Sequence, residues 1–465
     1  MKKNIGIVIT DGVGFRNFLL SNFICETKNK FSKVVILSCL PKESYQELDL
    51  DCDIIELTEF KENFINWFFR KSKEVAHLQL HAKDNFGIKT NLDKNYSKLN
   101  TPRGLATRLI FKWTRIFKSE KCIQFYNLMQ IFSFKNNKIT KDYQSIIKSH
   151  NLDLIFFTHQ RPPFIAPIIY AAKQLGIKTC SFIFSWDNLA SKGRMAGNFD
   201  FYLVWSTLMK KELLKYYPNV LDEHIKIVGT PQFEPYVLNK YNLAHDAFCS
   251  KFNIKKEKPI LFYSCGDVST SPNDNYYIET IAKAMLSNSI CCDVNFIVRV
   301  SPAENGKRFK ELVEKYPFIT WNYPKWISYN DSHQESWSQR VPSEEDIFDL
   351  KALLMNCNIS INMLSTMSLD AMFFQKPVVN TVFGDGNNGL WNDQKFLKYE
   401  HIKTVLNAEA TYLVKNEAEL LNSINFLLNN DDGKLQKQKT LLNLQVGEPL
   451  EGTSKRIAEV LCQWS

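Results

Sequence analysis

The chain has 465 residues, of which 45% are hydrophobic and 23% charged, and it carries a formal net charge of +9. This length exceeds what one hydrophobic core usually supports, so we expect two domains, and the composition excludes a fibrous or low-complexity chain. No apolar run reaches the roughly 18 to 20 residues of a membrane span. Asp11 lies within the segment that would have to be apolar in a signal peptide, so we expect a cytoplasmic protein.

The first half of the chain alternates predicted strands and helices. A turn at 11–14 follows the first strand, and a helix begins near Arg16. This βαβ rhythm predicts a parallel sheet, and residues 1–238 are interpreted as a Rossmann-like domain that presents an acceptor. The predicted strands are Asn4–Thr10, Lys33–Ser38, Asp53–Leu57, Asp153–Thr158, Lys178–Phe184, Asp200–Trp205 and Ile225–Val228.

A basic, aromatic insertion near residues 60–140 interrupts this alternation. Eight Lys or Arg and a single acid, Glu120, lie between Thr101 and Lys138. One hypothesis is a helix at an anionic membrane, peripheral at its inner face, and the other is a helix that docks on its own domain. Nucleic acid is not an expected partner, because no recognised binding motif accompanies the basic residues. A helical wheel places five apolar residues on one face: Leu109, Ile110, Trp113, Ile116 and Phe117.

The second half repeats the α/β plan. Residues 239–258 are a polar linker, residues 259–450 a second Rossmann-like domain, and residues 451–465 a terminal helix that crosses back to the first domain. The predicted fold class is therefore α/β, with two Rossmann-like domains facing each other across a cleft. The predicted strands are Pro259–Ser264, Asp293–Val300, Phe318–Trp321, Ile359–Met363 and Pro377–Val382.

A hydroxyl-rich turn in this second domain is a candidate anion site. Ser365, Thr366 and Ser368 lie where a short helix follows a buried strand. Hydroxyls, backbone N–H groups and the positive end of the helix dipole converge there, which favours a diphosphate. Simple N-capping would explain one of the hydroxyls.

Two further positions of the second domain point towards the same ligand. Arg299 ends a predicted strand, where its bidentate fork would face the cleft, and the alternative is a surface salt bridge. Gly266 follows the first strand of this domain and permits close approach of the backbone to a ligand.

In the first domain, unusual residues follow a buried strand in the segment FSWDNLASKG. Trp186, Asp187, Asn188 and Lys192 belong to it. Because open α/β sheets bind ligands at the carboxyl ends of their strands, these residues are predicted to border the cleft or the acceptor. The alternative is a capped turn packed by Trp186.

Three residues compete as the base that takes a proton from an acceptor hydroxyl. His159 follows the preceding strand, Asp187 lies in the segment above, and Asp11 lies in the opening turn beside Gly12, a candidate cleft residue. Arg161 is expected either to meet an acceptor phosphate or to pair with an acid of its own domain.

Motifs for other ligands are incomplete. The glycine turn at 12–14 lacks the third glycine and the acidic partner of a dinucleotide fingerprint, and there is no Walker phosphate loop, so NAD and ATP are disfavoured. The eleven cysteines show no C-x-x-C spacing, and neither a metal site nor a disulfide framework is predicted.

The second half carries a resemblance to a known group of enzymes. The hydroxyl-rich turn, Asp370 in the following helix and Lys376-Pro377-Val378 at its end resemble the donor-site element of GT-B enzymes. The similarity is greatest to CDP-glycerol glycerophosphotransferases, sugar-nucleotide epimerase-like proteins and bacterial surface-polysaccharide transferases, whose Ser-Trp-Asp-Asn element matches residues 185–188. Ser301 stands where a His is common in these relatives, which argues against a phosphotransferase.

The resemblance implies a metal-independent glycosyltransferase. It would move a sugar from a nucleotide-activated donor, with no other cofactor, to a hydroxyl of a surface-polysaccharide or lipid-linked glycan acceptor. Alternatives are a CDP-polyol phosphotransferase, a sugar-nucleotide epimerase and a non-catalytic binding protein. The implied donor-binding residues are Gly266, Arg299, Ser365, Thr366, Ser368 and Asp370.

Overall fold

The protein is an α/β protein with two parallel sheets, and the computed structural model describes residues 2–384, 387 and 389–465. The described residues form a seven-stranded sheet, a six-stranded sheet and a two-stranded antiparallel ribbon. This confirms the predicted fold class of two Rossmann-like halves.

The first sheet has the strand order β3-β2-β1-β4-β5-β6-β7. Its strands are β1 (Asn4–Ile9), β2 (Lys33–Ser38), β3 (Asp53–Glu56), β4 (Leu154–Phe157), β5 (Lys178–Phe182), β6 (Phe201–Val204) and β7 (Ile225–Ile227). The helices are α1 (Gly12–Leu19), α2 (Phe23–Lys30), α3 (Phe64–His81), α4 (Phe86–Asn95), α5 (Pro102–Ile116), α6 (Glu120–Phe132), α7 (Lys138–Ser149), α8 (Ala166–Gln174), α9 (Asn188–Ser191) and α10 (Thr207–Tyr216). The strand order reverses between β1 and β4, which creates a crevice at their carboxyl ends.

The second sheet has the order β10-β9-β8-β13-β14-β15, which reverses between β8 and β13. The strands are β8 (Ile260–Ser264), β9 (Asn295–Arg299), β10 (Thr320–Asn322), β11 (Trp326–Ser328) and β12 (Arg340–Pro342) of the ribbon, β13 (Ile359–Asn362), β14 (Val378–Thr381) and β15 (Tyr412–Val414). The helices are α11 (His245–Phe252), α12 (Asp274–Leu286), α13 (Lys310–Lys315), α14 (Glu344–Asn356), α15 (Met367–Phe373), α16 (Glu400–Ala408), α17 (Glu417–Asn429), α18 (Leu435–Gln445) and α19 (Thr453–Trp464).

Strands β4 and β8, at the centre of their sheets, are almost entirely apolar, because helices cover both faces of a parallel sheet. Every residue of β4 and of β8 is buried. The strands β11, β12 and β15 were not predicted; each has only three residues and little hydrophobic pattern. The segment interpreted as a linker contains α11, which buries Phe248 and Phe252.

The basic, aromatic insertion forms the helices α3 to α7 between β3 and β4. On α5, Ile110 is fully buried, whereas Leu109, Trp113 and Ile116 are 59%, 50% and 76% exposed. Ile110, at one edge of the predicted apolar face, is therefore buried against the helical layer. Leu109, Trp113 and Ile116, on the rest of that face, form an exposed apolar stripe beside it. Among the described residues, no helix is long and apolar enough to cross a bilayer.

The terminal helix α19 returns to the first sheet and packs against α2. Trp464 stacks on Phe201 of β6 with ring centroids 4.5 Å apart. At the other end of α19, the buried Glu234 carboxylate accepts a hydrogen bond from Ser454 N at 3.0 Å and one from Asn22 N at 3.2 Å. The chain end thus joins the N-termini of α19 and α2 through one buried acid.

The two domains touch where α1 meets the ribbon. A Cβ atom on Gly12 would lie 1.6 Å from the carbonyl oxygen of Arg340 and 3.2 Å from the Cα of Val341. Gly12 therefore contacts the backbone of β12 and does not border a ligand space, contrary to its prediction as a cleft residue.

We expect Gly12→Ala to lower the free energy of unfolding by about 3 kcal/mol, because a methyl group cannot fit against a backbone carbonyl and would push the domain contact apart. The matched control is Gly433→Ala, since a Cβ at Gly433 meets nothing within 4 Å. Urea unfolding of both variants measures the difference. Equal stability of the two variants would contradict this packing.

Candidate functional site

The carboxyl ends of the two sheets face each other across a cavity of about 400 Å³, called here the interdomain cavity. Side chains and loops from both domains line it. From the first domain they include Arg16, Asp187, Ser191, Lys192 and Gln232, and from the second Ser264 to Asp267, Arg299 to Pro302, Asp346, Met363 to Met367, Asp370, Tyr399 and His401. This volume lies within the range of small-molecule sites, and the position is the one at which open α/β sheets bind ligands.

Of the three predicted hydroxyls, two line the interdomain cavity and one does not. Ser365 and Thr366 border it. The Ser365 hydroxyl accepts a hydrogen bond from Met367 N at 3.3 Å, and the side chain of Thr366, the N-cap residue of α15, makes no capping hydrogen bond among the described residues. Ser368 is buried beneath the turn, where it donates to Asn362 at 3.1 Å. The prediction of Ser368 as a ligand contact is therefore not supported by its position.

Arg299 borders the interdomain cavity, but its guanidinium N–H groups are already hydrogen-bonded within the protein. Its Nη2 donates to both carboxylate oxygens of Asp346, at 2.9 and 2.8 Å, and its Nη1 donates to Asn322. Arg299 is only 4% exposed, so the expected alternative of a surface salt bridge is also wrong. Burial raises the pKa of Asp346, but the Arg299 charge and hydrogen bonds outweigh it and hold this pKa below its usual value. The pair orders the cavity wall, and the guanidinium is not free for a bidentate ligand contact.

The loop that follows β8 packs so closely on Gly266 that it leaves no room for a side chain there. A Cβ on Gly266 would lie 2.7 Å from the Cβ of Ser271, and Gly266 N donates to Asp274 at 3.0 Å. Gly266 does border the interdomain cavity. Loop packing accounts for the glycine without any ligand.

A cation that sequence reasoning did not single out enters the interdomain cavity from the first domain. Arg16 of α1 lines it, and its Nη2 is buried with no hydrogen-bond partner among the described residues. Asp370 lies nearby and accepts a hydrogen bond from Tyr236 of the first domain. Burial raises the pKa of Asp370 to about 6, opposed by the Arg16 charge. The only available signal for Arg16 was its position one turn after the opening glycines.

Two competing base candidates, Asp11 and His159, form one hydrogen-bonded pair. They follow β1 and β4, the strands that flank the switch point. His159 Nδ1 lies 2.9 Å from Asp11 Oδ2, and the same carboxylate accepts from Thr10 Oγ1 at 2.7 Å and Gly14 N at 2.8 Å. His159 also stacks on Phe184 with ring centroids 3.8 Å apart. The ring is therefore fixed in position and orientation.

The protonation states of this pair follow from burial. Burial raises the pKa of Asp11, but its hydrogen bond with His159 and the His159 charge outweigh it, so this pKa lies below its usual value. Burial lowers the pKa of His159, and the Asp11 interaction only partly offsets that. Near pH 7 an ionised Asp11 therefore holds the proton of a neutral His159 on Nδ1, while Nε2 is buried and has no partner among the described residues.

The third base candidate, Asp187, borders the interdomain cavity in a different environment. Its carboxylate accepts from Ser191 Oγ at 3.1 Å and lies 3.3 Å from Lys192 Nζ. Burial raises the pKa of Asp187, but Lys192 and His401 outweigh it and hold this pKa well below its usual range. A carboxylate with so low a pKa is a weak base, and its contacts instead position Lys192.

Trp186 and Asn188 support this segment from beneath. Trp186 packs edge-on against His401, with ring centroids 5.2 Å apart. Asn188 accepts from Gln160 at 3.0 Å and so ties the segment to the loop that carries His159. Both are buried, and neither borders the interdomain cavity, so the prediction that they meet a ligand is not supported by their positions.

A second cavity of about 520 Å³, called here the basic pocket, is lined mostly by the first domain and closed by Glu335 and Trp337 of the second. It meets the interdomain cavity at Lys192, which borders both. The predicted residues His159 and Arg161 line it. The others are Arg70, Lys71, Lys73, Glu74, Asn95, Pro162, Pro163, Arg194, Met195, Ala196, Glu335 and Trp337. Most were not predicted, because they come from α3 and from distant loops.

Among the described residues, no group of three or more His, Cys, Asp or Glu side chains is arranged to hold a metal ion. The charge in both cavities therefore comes from arginine, lysine and carboxylate side chains. The independence of the activity from metal stays a prediction.

Solved structures with this architecture share the fold at low sequence identity. The UDP-GlcNAc 2-epimerase of Methanocaldococcus jannaschii is 10% identical over all of both chains, with a TM-score of 0.54. The UDP-GlcNAc 2-epimerase of Neisseria meningitidis bound to UDP-GlcNAc is 11% identical over all of both chains, at 0.53. A glycosyltransferase of Rickettsia africae is 14% identical over 99% of this chain and 98% of its own, at 0.51.

No protein-family model matches the chain, and no curated protein matches it in sequence. The similarity therefore shows the GT-B type of fold, and it does not decide between transfer and epimerisation.

We expect nitrogen-detected NMR to find His159 neutral at pH 7, with the proton on Nδ1, and to find its titration midpoint below 6.5. The reason is that burial disfavours the imidazolium more than Asp11 favours it. Asp11→Asn removes the carboxylate that selects this tautomer, so the two tautomers should mix. A midpoint at or above 6.5 in the unmodified protein would contradict the described environment.

Proposed function

We propose that the protein transfers a sugar from a nucleotide-activated donor to an acceptor hydroxyl. The observation that carries this proposal is the His159–Asp11 pair, in which His159 borders the basic pocket and its Nε2 has no hydrogen-bond partner among the described residues. A neutral imidazole held by a carboxylate is a suitable general base for a hydroxyl at neutral pH.

The donor would occupy the interdomain cavity. Arg16 reaches it from the first domain with a nitrogen that lacks a partner, Lys192 enters from the same side, and the Thr366 hydroxyl lies on the opposite wall. These groups can neutralise a diphosphate and stabilise it as it departs. The Arg299–Asp346 pair keeps the wall of the second domain rigid.

The acceptor hydroxyl would approach from the basic pocket. Its oxygen forms the new bond to the anomeric carbon, the bond between that carbon and the nucleotide diphosphate breaks, and the hydroxyl proton passes to His159 Nε2. Asp11 then stabilises the imidazolium. The resulting proton is released to solvent after the products leave.

The other activities differ from sugar transfer in their substrates or their products. An epimerase converts its nucleotide sugar without an acceptor, and the basic pocket beside His159 favours a second substrate. Polyol-phosphate transfer would use the same two cavities, and the mass of the product separates it from sugar transfer. The acceptor proposed is a surface-polysaccharide or lipid-linked glycan.

The exposed apolar stripe supports attachment to an anionic membrane. Leu109, Trp113 and Ile116 are surrounded by exposed basic side chains, and the one acid of this region, Glu120, is paired with Arg194 at 2.5 Å. Apolar side chains flanked by cations match the interior and the headgroups of an anionic bilayer. We therefore propose a peripheral position on the cytoplasmic face. The exposed basic residues are Arg103, Lys112, Arg115 and Lys121.

Thermal unfolding with UDP, GDP, CDP, CMP and dTDP tests donor binding, because a ligand that binds only the folded protein raises the Tm. We expect a response selective for one nucleotide. Arg16→Met should weaken binding about tenfold or more, because it removes a charged contact to the diphosphate. Lys211→Met, which removes an exposed lysine of α10, should not change it. A uniform lack of response would overturn the proposal.

Turnover is then measured with the matching nucleotide sugar and host membranes, by nucleotide release and product mass. His159→Asn should keep nucleotide binding and lose about 10² to 10⁴ in rate, as expected for a general base. Unchanged turnover in this variant would exclude His159 as the base. Nucleotide binding without turnover under all conditions would indicate a non-catalytic binding protein.

Sedimentation with vesicles tests the membrane surface. Vesicles that contain phosphatidylglycerol should bind the protein more tightly than neutral vesicles. Leu109→Glu combined with Ile116→Glu should weaken binding about tenfold or more, because each side chain loses its transfer into the bilayer. The control is Leu286→Glu, an exposed leucine of the second domain. An equal loss of vesicle binding in the double variant and in the Leu286→Glu control would contradict the assignment of this surface.

A further inference from the structure

The basic pocket holds more positive than negative charge. Six of its side chains are lysine or arginine, and two, Glu74 and Glu335, are carboxylates. Four of the cations have an acid close by: Arg70 lies 2.7 Å from Glu62, Lys71 3.4 Å from Glu74, Lys192 3.3 Å from Asp187 and Arg194 2.5 Å from Glu120. The other two, Lys73 and Arg161, form no ion pair within 4 Å among the described residues, although the charges of Glu335 and Glu74 act on Arg161 from a greater distance.

Lys73 is the first of these two. It is 2% exposed, and its ammonium donates only to neutral oxygens, Asn127 Oδ1 at 3.0 Å and the carbonyl of Ala196 at 2.9 Å. Burial, together with the nearby Arg194 and Arg70 charges, lowers the pKa of Lys73 to about 7. A buried ammonium without a carboxylate is costly, and a bound anion would stabilise its charged form.

Arg161 is the second. Its Nε is buried and has no hydrogen-bond partner among the described residues, although the side chain borders the basic pocket. Guanidinium N–H groups in proteins are normally satisfied when they are buried, and water or an anionic ligand completes those that are not. His159 Nε2, buried and also without a described partner, borders the same space.

We propose that the basic pocket binds a phosphate group of the acceptor, beside the hydroxyl that His159 deprotonates. Phosphate fits better than a carboxylate, because it carries up to two negative charges and three strong acceptor oxygens for cations that converge from α3 and from two loops. This assignment of an acceptor class rests on the proposed transferase function, whereas anion binding by the pocket does not.

Helix α3 connects the basic pocket to exposed apolar residues of the same insertion that carries the proposed membrane surface. Helix α3 carries Lys73 in its middle and the exposed Phe64 and Ile65 at its start. At about 1.5 Å per residue, roughly 12 to 14 Å of helix separates the two regions. A phosphate attached to a lipid and a phosphate on a free sugar would use the same contacts, so the acceptor fractions below distinguish the two sources.

Calorimetric titration of the full-length protein with sodium sulfate tests the pocket, with ionic strength held constant by sodium chloride. Sulfate keeps two charges between pH 6 and 8, so its own ionisation does not confound the result. We expect saturable binding that weakens about tenfold or more in both Arg161→Met and Lys73→Met. Lys211→Met should bind sulfate like the unmodified protein. Circular dichroism and the Tm verify that each variant folds.

The interdomain cavity is the competing sulfate site, and Arg16→Met separates the two. Binding that survives Arg16→Met and is lost in Arg161→Met supports the proposal. Binding that is lost in Arg16→Met and kept in Arg161→Met overturns it, and so does the absence of saturable binding. Nucleotide binding is measured in the same variants, so a failure of the donor proposal is seen independently of a failure at the basic pocket.

The acceptor class is tested with host extracts divided into an organic-solvent fraction and an aqueous fraction. Activity in the organic fraction identifies a lipid-linked phosphate, and activity in the aqueous fraction identifies a soluble one. Phosphatase treatment of the active fraction should lower turnover at least tenfold, and the loss should be much smaller in Arg161→Met, whose turnover is already low. Full activity after phosphatase treatment would overturn the assignment of a phosphorylated acceptor.

Discussion

The buried carboxylate of Asp11 organises the first domain's part of the site. It caps α1 through Gly14 N, accepts the Thr10 hydroxyl and holds His159 Nδ1. One ionised group therefore connects the ends of β1 and β4, the two strands at the switch point of the sheet. Because the carboxylate is satisfied on three sides, it stays ionised inside the protein, and its charge holds the His159 proton on Nδ1, which leaves the buried Nε2 as the basic nitrogen.

The two cavities differ in how their charges are compensated. In the interdomain cavity, Arg299 is neutralised by Asp346 and keeps the wall in place, whereas Arg16 Nη2 has no hydrogen-bond partner among the described residues. In the basic pocket, Lys73 and Arg161 form no close ion pair with a described carboxylate, and Glu335 and Glu74 act on Arg161 from a greater distance. A cation that is already paired preserves structure, and a buried cation without a close pair can accept an anionic ligand. Under the proposed function, Arg16, Lys73 and Arg161 are therefore the residues that would bind an anion.

Much of the architecture was predictable, because strands covered on both faces leave long apolar runs between glycine turns. The segments 4–9, 33–38, 154–157 and 260–264 carry this pattern and all are strands. The same reasoning placed candidate residues after the predicted strands, because ligands meet parallel sheets at their carboxyl ends. It failed for the antiparallel ribbon of β11 and β12, which lies outside the βαβ rhythm, although β12 forms the contact with α1.

The sequence by itself determined the α/β class, the two-sheet plan and the loops that carry the site, because hydrophobic periodicity and turn residues act over short distances along the chain. Only the tertiary structure decided which candidates meet. Asp11 and His159, 148 positions apart, are hydrogen-bonded to each other. Arg299 forms an ion pair with Asp346, and Gly12 packs against the backbone of Arg340. Hydrogen bonding and burial depend on neighbours in space, and no local pattern in the chain specifies those neighbours.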